Sequence, residues 1–183
     1  HFRYSTPDTV WKYFGWTDEE VATGDFNPKM YNSFTDGTKA AIEMAAVANA
    51  TGLDCPDDGL AFYPTGLHDL TNVFKPIANG GRLPKKGLLD IAASREPDGR
   101  EVYNNICYGM FVTFKAPNQY SRDCFRQYGL LTDSSGWYAS MWRPFHLIGL
   151  ETNTSIMLAV LRNEPTGASC IWTVSYTHLR AHE

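Results

Sequence analysis

The stretch SFTDGTKAAIEMAAVANATG, Ser33 to Gly52, restricts the fold more than any other. Asp36-Gly37 opens it like a capping turn and Gly52 closes it like a stop, so it predicts one helix from about Thr38 to Thr51, capped by Asp36 or Thr35. At about 100° per residue, Lys39 and Glu43 share one side roughly 40° apart, with Ala46 and Ala50 beside them and Asn49 about 80° away. Ala40, Ala41, Met44, Ala45, Val47 and Ala48 fill the rest of the circumference. A helix apolar over so much of its surface needs other elements against it. Its polar residues are then either a narrow wet stripe or polar chemistry facing a cleft. If buried, Lys39 and Glu43 must pair or exchange a proton, because an isolated buried charge is too costly.

The surrounding chain supplies short helices first and strands later. Thr6-Pro7 opens a helix that Gly15 stops, and Thr17 caps a second one rich in acids in its first turn. DFNPKMYNSFTDG reads as turn-rich. LHDLTNVFKP holds one or two helical turns, GLLDIAAS is a strand candidate, and REPDGRE is a hairpin-type connection. ICYGMFVTF alternates as a strand, with Ile106, Tyr108, Met110, Val112 and Phe114 on one side. NQYSRDCFRQYG is an amphipathic helix with Tyr120, Cys124 and Tyr128 on one stripe; GWYASMW is a further strand, and TNTSIMLAVLRN a helix from near Thr152. The expected class is α+β, or mixed α/β: a small, largely antiparallel sheet with helices packed on one face.

Composition excludes several functions. A net charge of −4 with no large basic patch argues against a nucleic-acid partner. No apolar run is long enough for a membrane span. Four cysteines, Cys55, Cys107, Cys124 and Cys170, are widely spaced without a C-x-x-C, which suits reduced thiols in the cytoplasm better than a disulfide framework or zinc site. There is no G-x-G-x-x-G and no P-loop, so no cofactor-binding residue is expected within this chain. The tail VSYTHLRAHE back-translates into codons resembling the end of a transposon-based sequencing adapter. Residues 173–183 are therefore expected to be read-through, and His178 and His182 are excluded from any site. The first residues read as mid-protein, and residues 1–172 as one domain truncated at both ends.

Two constellations carry chemistry. Lys29, Asn32, Asp36 and Thr38 sit in or beside the turn feeding the long helix, where backbone N–H groups favour a carboxylate or phosphate. WRPFHLIGLET places Arg143 and His146 after an apolar strand, with Glu151 just beyond; an imidazole there can move protons or be a packed structural histidine. Asp133, in LLTDSSG, reads as a turn residue.

The blocks STPDTVWKYFG, FNPKMYNSFTDGTKAAIEMAAVANATGL and YGLLTDSSGWYASMWRPFHLIGLETNTSIMLAVLRNEPTG resemble one family. It is the homoserine-dehydrogenase-like oxidoreductases that include the deoxyxylulose-phosphate reductoisomerase-like (DRL) enzymes. The likeness covers most of Ser5 to Gly167. It implies a central catalytic domain, with NADPH or NADH held mainly by a separate N-terminal Rossmann domain. A family block SFxDGTKxxxE maps onto Ser33, Phe34, Asp36, Gly37, Thr38, Lys39 and Glu43; RPxHLIGLE maps onto Arg143, Pro144, His146 and Glu151.

The resemblance implies catalytic roles for Lys39, Glu43, Asp36 and His146, and substrate contacts for Lys29, Asn32, Thr38, Asn49 and Arg143. Lys39 would polarise or protonate the reacting oxygen. Asp36 and Glu43 are the candidates should Mg²⁺ or Mn²⁺ be needed. The implied substrate is a small polar carbonyl or hydroxyl compound, with a sugar phosphate, as in the reductoisomerases, among the candidates. The alternatives are a homoserine-dehydrogenase-type enzyme acting on aspartate semialdehyde and, from another class, a non-catalytic dimerisation domain. A homodimer through the sheet face is expected under the enzyme reading too.

Overall fold

The structure is a computed structural model that describes residues 4–146 and 157–163. Glu151, the start of the helix expected near Thr152, Cys170 and the tail from Thr173 lie outside the described residues.

The N-terminal third is helical. α1 (Val10–Phe14) ends at Gly15, whose φ of 72° is the left-handed conformation a stop requires. α2 (Asp18–Ala22) begins with a capping box: Glu20 N–H donates to the Thr17 hydroxyl and the Glu20 carboxylate accepts from Thr17 N–H. The segment read as turn-rich is largely a helix, α3 (Pro28–Thr35). Asn27 caps it through its side-chain carbonyl and Pro28 occupies its first position. Trp11, Trp16, Phe26 and Tyr31 pack ring against ring between α1 and α3, with Trp11 and Trp16 stacked at 5.6 Å.

α4 (Thr38–Thr51) has the expected bounds. It buries Ala41 and Ala48 fully, and Ala41 packs with Leu60 among Met44, Ala45, Phe62 and Ile91. Its opposite side is open. Ile42 is 55% exposed, Ala46 and Ala50 are exposed, and Lys39 and Glu43 flank them half-buried.

A second core lies under α5 (Leu70–Val73), where Leu70, Phe74, Leu83 and Ile106 are buried together. A two-residue parallel pair, β1 (Tyr63–Pro64) with β2 (Ala92–Ala93), joins the two cores. The main sheet is antiparallel, in the order β3 (Met110–Lys115), β5 (Tyr138–Arg143), β4 (Leu131–Thr132). Phe111 pairs with Trp142 and Thr113 with Ser140, so these four share a face. That face meets α5: the Phe111 ring lies tilted against Phe74 with centroids 4.5 Å apart, and the Thr71 hydroxyl shares a hydrogen bond with Ser140 Oγ, which also bonds Thr113. α6 (Gln119–Gln127) lies on the other face, where Phe125 meets Phe114 edge-on. The sheet thus carries one helix on each face.

The strand begins later than the alternation suggests, because Gly109 N–H turns back to Ile106 O. Its apolar positions Met110 and Val112 share the face of Phe114, on the part that α6 does not cover. On α6, Tyr120 and Tyr128 are likewise outward, each more than three-quarters exposed, while Phe125 makes the contact with the sheet. A π-helical turn over Leu158–Arg162 ends at Asn163.

Candidate active site

His146, three residues past the end of β5, meets Glu43 in α4, and that meeting builds the site. Just before β3, Tyr108 adopts φ 63°, a left-handed conformation uncommon for a bulky side chain. Gly109 follows because no side chain fits: a Cβ there would lie 2.8 Å from Ile106 O and 2.9 Å from Arg143 O. The turn aims the Tyr108 carbonyl at His146, which donates its backbone N–H at 3.0 Å and approaches with Nδ1 at 2.8 Å.

A carbonyl oxygen only accepts, so Nδ1 must carry a hydrogen. In the neutral ring Nε2 is then the basic nitrogen, and it faces Glu43 Oε2 at 3.5 Å. Both side chains are about 30% exposed, at 30% for His146 and 32% for Glu43. The other Glu43 oxygen, Oε1, is sealed from solvent and has no hydrogen-bond partner among the described residues.

Lys39 lies one turn before Glu43 on α4. Its ammonium sits 4.1 Å from the centre of the Phe34 ring, a cation–π contact. Among the described residues the ion-pair partner of Glu43 is His146, not Lys39. The adjacency expected on α4 is present, but the two charges address different neighbours.

Asn32 and Asp36 form a second layer at the start of α4. Asn32 is 7% exposed and donates Nδ2 to Asp36 Oδ2 at 3.0 Å. A carboxylate accepts only, so the amide orientation is fixed and the Asn32 Oδ1 left over, buried without a partner among the described residues, is an oxygen. Asp36 Oδ1 accepts from Thr38 N–H at 2.8 Å. The N-cap of α4 is Gly37, without a side-chain cap; Asp36, one of the two residues expected there, sits one position earlier and, of the helix N–H groups, accepts only from the first.

Other expected site residues are less convergent. Lys29 is exposed on the first turn of α3, and its ammonium has no partner among the described residues. Arg143 ends β5 with its guanidinium 4.7 Å from the Phe145 ring centre. The side chain of Asn49 lies outside the described residues. The metal candidates do not assemble a donor set: both Asp36 oxygens are engaged, and the described residues contain no group of three or more His, Cys, Asp or Glu able to hold an ion.

Sequence reasoning missed Tyr108. Its signal was the Tyr-Gly pair at the start of an alternating strand, which marks a turn that can expose a carbonyl.

The family described as oxidoreductase DRL, catalytic domain, matches residues 1–152, which include every residue of the site. No curated protein matches the chain.

Proposed function

Since the chain belongs to the oxidoreductase DRL catalytic-domain family, we propose that it is the substrate-binding and proton-transfer domain of an NAD(P)H-dependent enzyme reducing a small polar carbonyl. The observation that carries this reading is the Glu43–His146 pair, with the imidazole held in one tautomer by the Tyr108 carbonyl. The nicotinamide, when bound, supplies the hydride. The chain's own residues handle the oxygen. As the carbonyl oxygen gains an electron pair, the Lys39 ammonium stabilises the developing charge. The proton is delivered from Nε2 of protonated His146, and Glu43 stabilises the imidazolium beforehand.

The open side of α4 supports the same reading. Ile42, Ala46 and Ala50 lie exposed beside Lys39 and Glu43, an unusual choice for a face that stays in water. A cofactor domain resting there would exclude water from the reacting oxygen. A sugar phosphate of the deoxyxylulose type is the preferred substrate class, with aspartate semialdehyde the alternative. No step is assigned to a divalent metal. Three free thiols, Cys55, Cys107 and Cys124, suit a cytoplasmic enzyme, and no helix among the described residues is long and apolar enough to cross a membrane.

The test is turnover of the enzyme assembled with its nicotinamide-binding domain. Lys39→Met keeps the packing on Phe34 and removes the charge, so kcat should fall by about 10²-fold with NADPH affinity unchanged. Lys12→Met, on exposed α1 surface, is the control. Normal turnover in Lys39→Met would remove the lysine from the mechanism.

A second copy of the chain is the proposed partner at the sheet. β3 is an edge strand among the described residues, and Met110, Val112 and Met141 are exposed by 47%, 53% and 58% on the part of their face that α6 does not cover. Unpaired apolar edges invite pairing with a copy of themselves. Sedimentation should find a dimer at micromolar concentration and a monomer for Val112→Lys; a monomeric wild type rejects this interface.

A further inference from the structure

The opposite end of β5 holds a second group of polar side chains that the proposed reaction does not use. A cleft of about 360 Å³ opens there between the turn after β4 and the loop after α5. At its base Lys75 Nζ lies 2.8 Å from Asp133 Oδ2, and the two side chains are 7% and 3% exposed. Lys75 is held by a tight backbone loop in which Leu83 N–H donates to Lys75 O and a Cβ on Gly81 would collide with that same carbonyl.

The two partners are unequally satisfied. The Asp133 carboxylate accepts from Lys75, from the Ser135 hydroxyl at 2.9 Å on each oxygen, and from Tyr138 N–H at 3.2 Å. It has no capacity left for a cation. The Lys75 ammonium has three N–H donors, and Asp133 is its one hydrogen-bond acceptor among the described residues. Its other neighbour is the face of the Tyr138 ring, 5.8 Å from the centroid.

Lys115, exposed, adds a second cation to the wall, beside Ser134 and Asn79. Arg122 stands behind the wall, donating to Ser135 O at 3.0 Å and lying 5.4 Å from the Trp137 ring. The lining therefore carries an excess of positive charge and unused donors.

We infer that this cleft binds a small oxyanion, the phosphate or carboxylate of a ligand, which accepts from Lys75 at the base and Lys115 at the mouth. Asp133 is the positioning residue: held by its own donors, it aims the ammonium outward. The site is distinct from the Glu43–His146 pair. Asp133 bonds the first residue of β5 and His146 follows the last, so the strand separates them by about 17 Å at roughly 3.3 Å per residue.

Inorganic phosphate and acetate are the probes, titrated into the purified chain at constant ionic strength made up with chloride. The readouts are ³¹P line broadening and the fluorescence of Trp137 in the cleft wall, with Trp137→Phe identifying the signal. Saturable binding in the millimolar range is expected, weakened about tenfold or more by Lys115→Met, since charge-assisted hydrogen bonds are the strong ones. Lys86→Met, an exposed lysine elsewhere, should leave it unchanged. Lys115 is exposed, so its replacement does not threaten folding. Binding of phosphate alone assigns a phosphate ester; binding of acetate alone or of both assigns a carboxylate or an oxyanion site of either kind. A response no larger than that to chloride, or one equal in Lys115→Met and wild type, overturns the assignment.

Discussion

Glu43→Gln, in the enzyme assembled with its cofactor domain, is expected to lower kcat by about 10²- to 10³-fold, the span of a lost general acid–base group. Gln keeps the length of Glu but no longer stabilises an imidazolium 3.5 Å away. His146→Asn should cost a similar factor for a different reason. Its amide can still donate to the Tyr108 carbonyl, preserving the turn, while the proton-carrying Nε2 is gone. The two residues act as one unit in this mechanism, so the double variant should be hardly worse than either single one. Cofactor affinity should survive in all three. Turnover losses that multiply would show two independent roles; full activity in His146→Asn would reduce the histidine to a structural tie between β5 and the Tyr108 turn.

Asp133→Ala is expected to be the most destabilising single change, at about 3–5 kcal/mol, because it strands a buried ammonium. Lys75→Met should cost less, since Asp133 keeps the donors on Ser135 and Tyr138. The pair also predicts a pH dependence. Burial pushes the Asp133 carboxyl upward and is the largest single influence. The hydrogen bonds from Lys75, Ser135 and Tyr138 N–H, with the Lys75 charge, together outweigh it and hold the carboxyl below its ordinary value.

A folded-state value below the unfolded one stabilises the fold above the unfolded pKa, and that contribution is lost as pH falls through the folded one. Urea midpoints should therefore drop below about pH 4, and more steeply in the wild type than in Asp133→Asn. Equal slopes would show that other carboxylates govern the acid limb.

Local features were legible where local physics suffices. Gly37 and Gly52 bracket α4, Thr17 and Glu20 close a capping box, and Gly15 stops α1, because each needs only neighbours within a turn. Asn27-Pro28 carried an equally local signal, a cap followed by the one helical position that welcomes proline. The run of Asn, Ser, Thr and Asp around it pointed to a turn instead. Alternation from Ile106 to Phe114 separated two faces of a strand, but a period of two does not say which face is buried. That depended on α5 supplying Phe74 beneath Phe111, with Met110 and Val112 left outward.

By itself the sequence determined the glycine stops of α1 and α4, the Thr17 cap, the α+β class, the family blocks, and the placing of Lys39 and Glu43 on one side of one helix. Tertiary structure alone decided their partners. Glu43 faces His146 across the end of β5, Lys39 rests on Phe34, and Lys75 reaches Asp133 at a separation of 58 residues. The physical reason is range. Caps and helical faces are set by bonds spanning three or four residues, whereas which charge meets which is set by how β5 packs on α5 and by where the segment after β5 brings His146 against α4. No spacing along the chain encodes that arrangement.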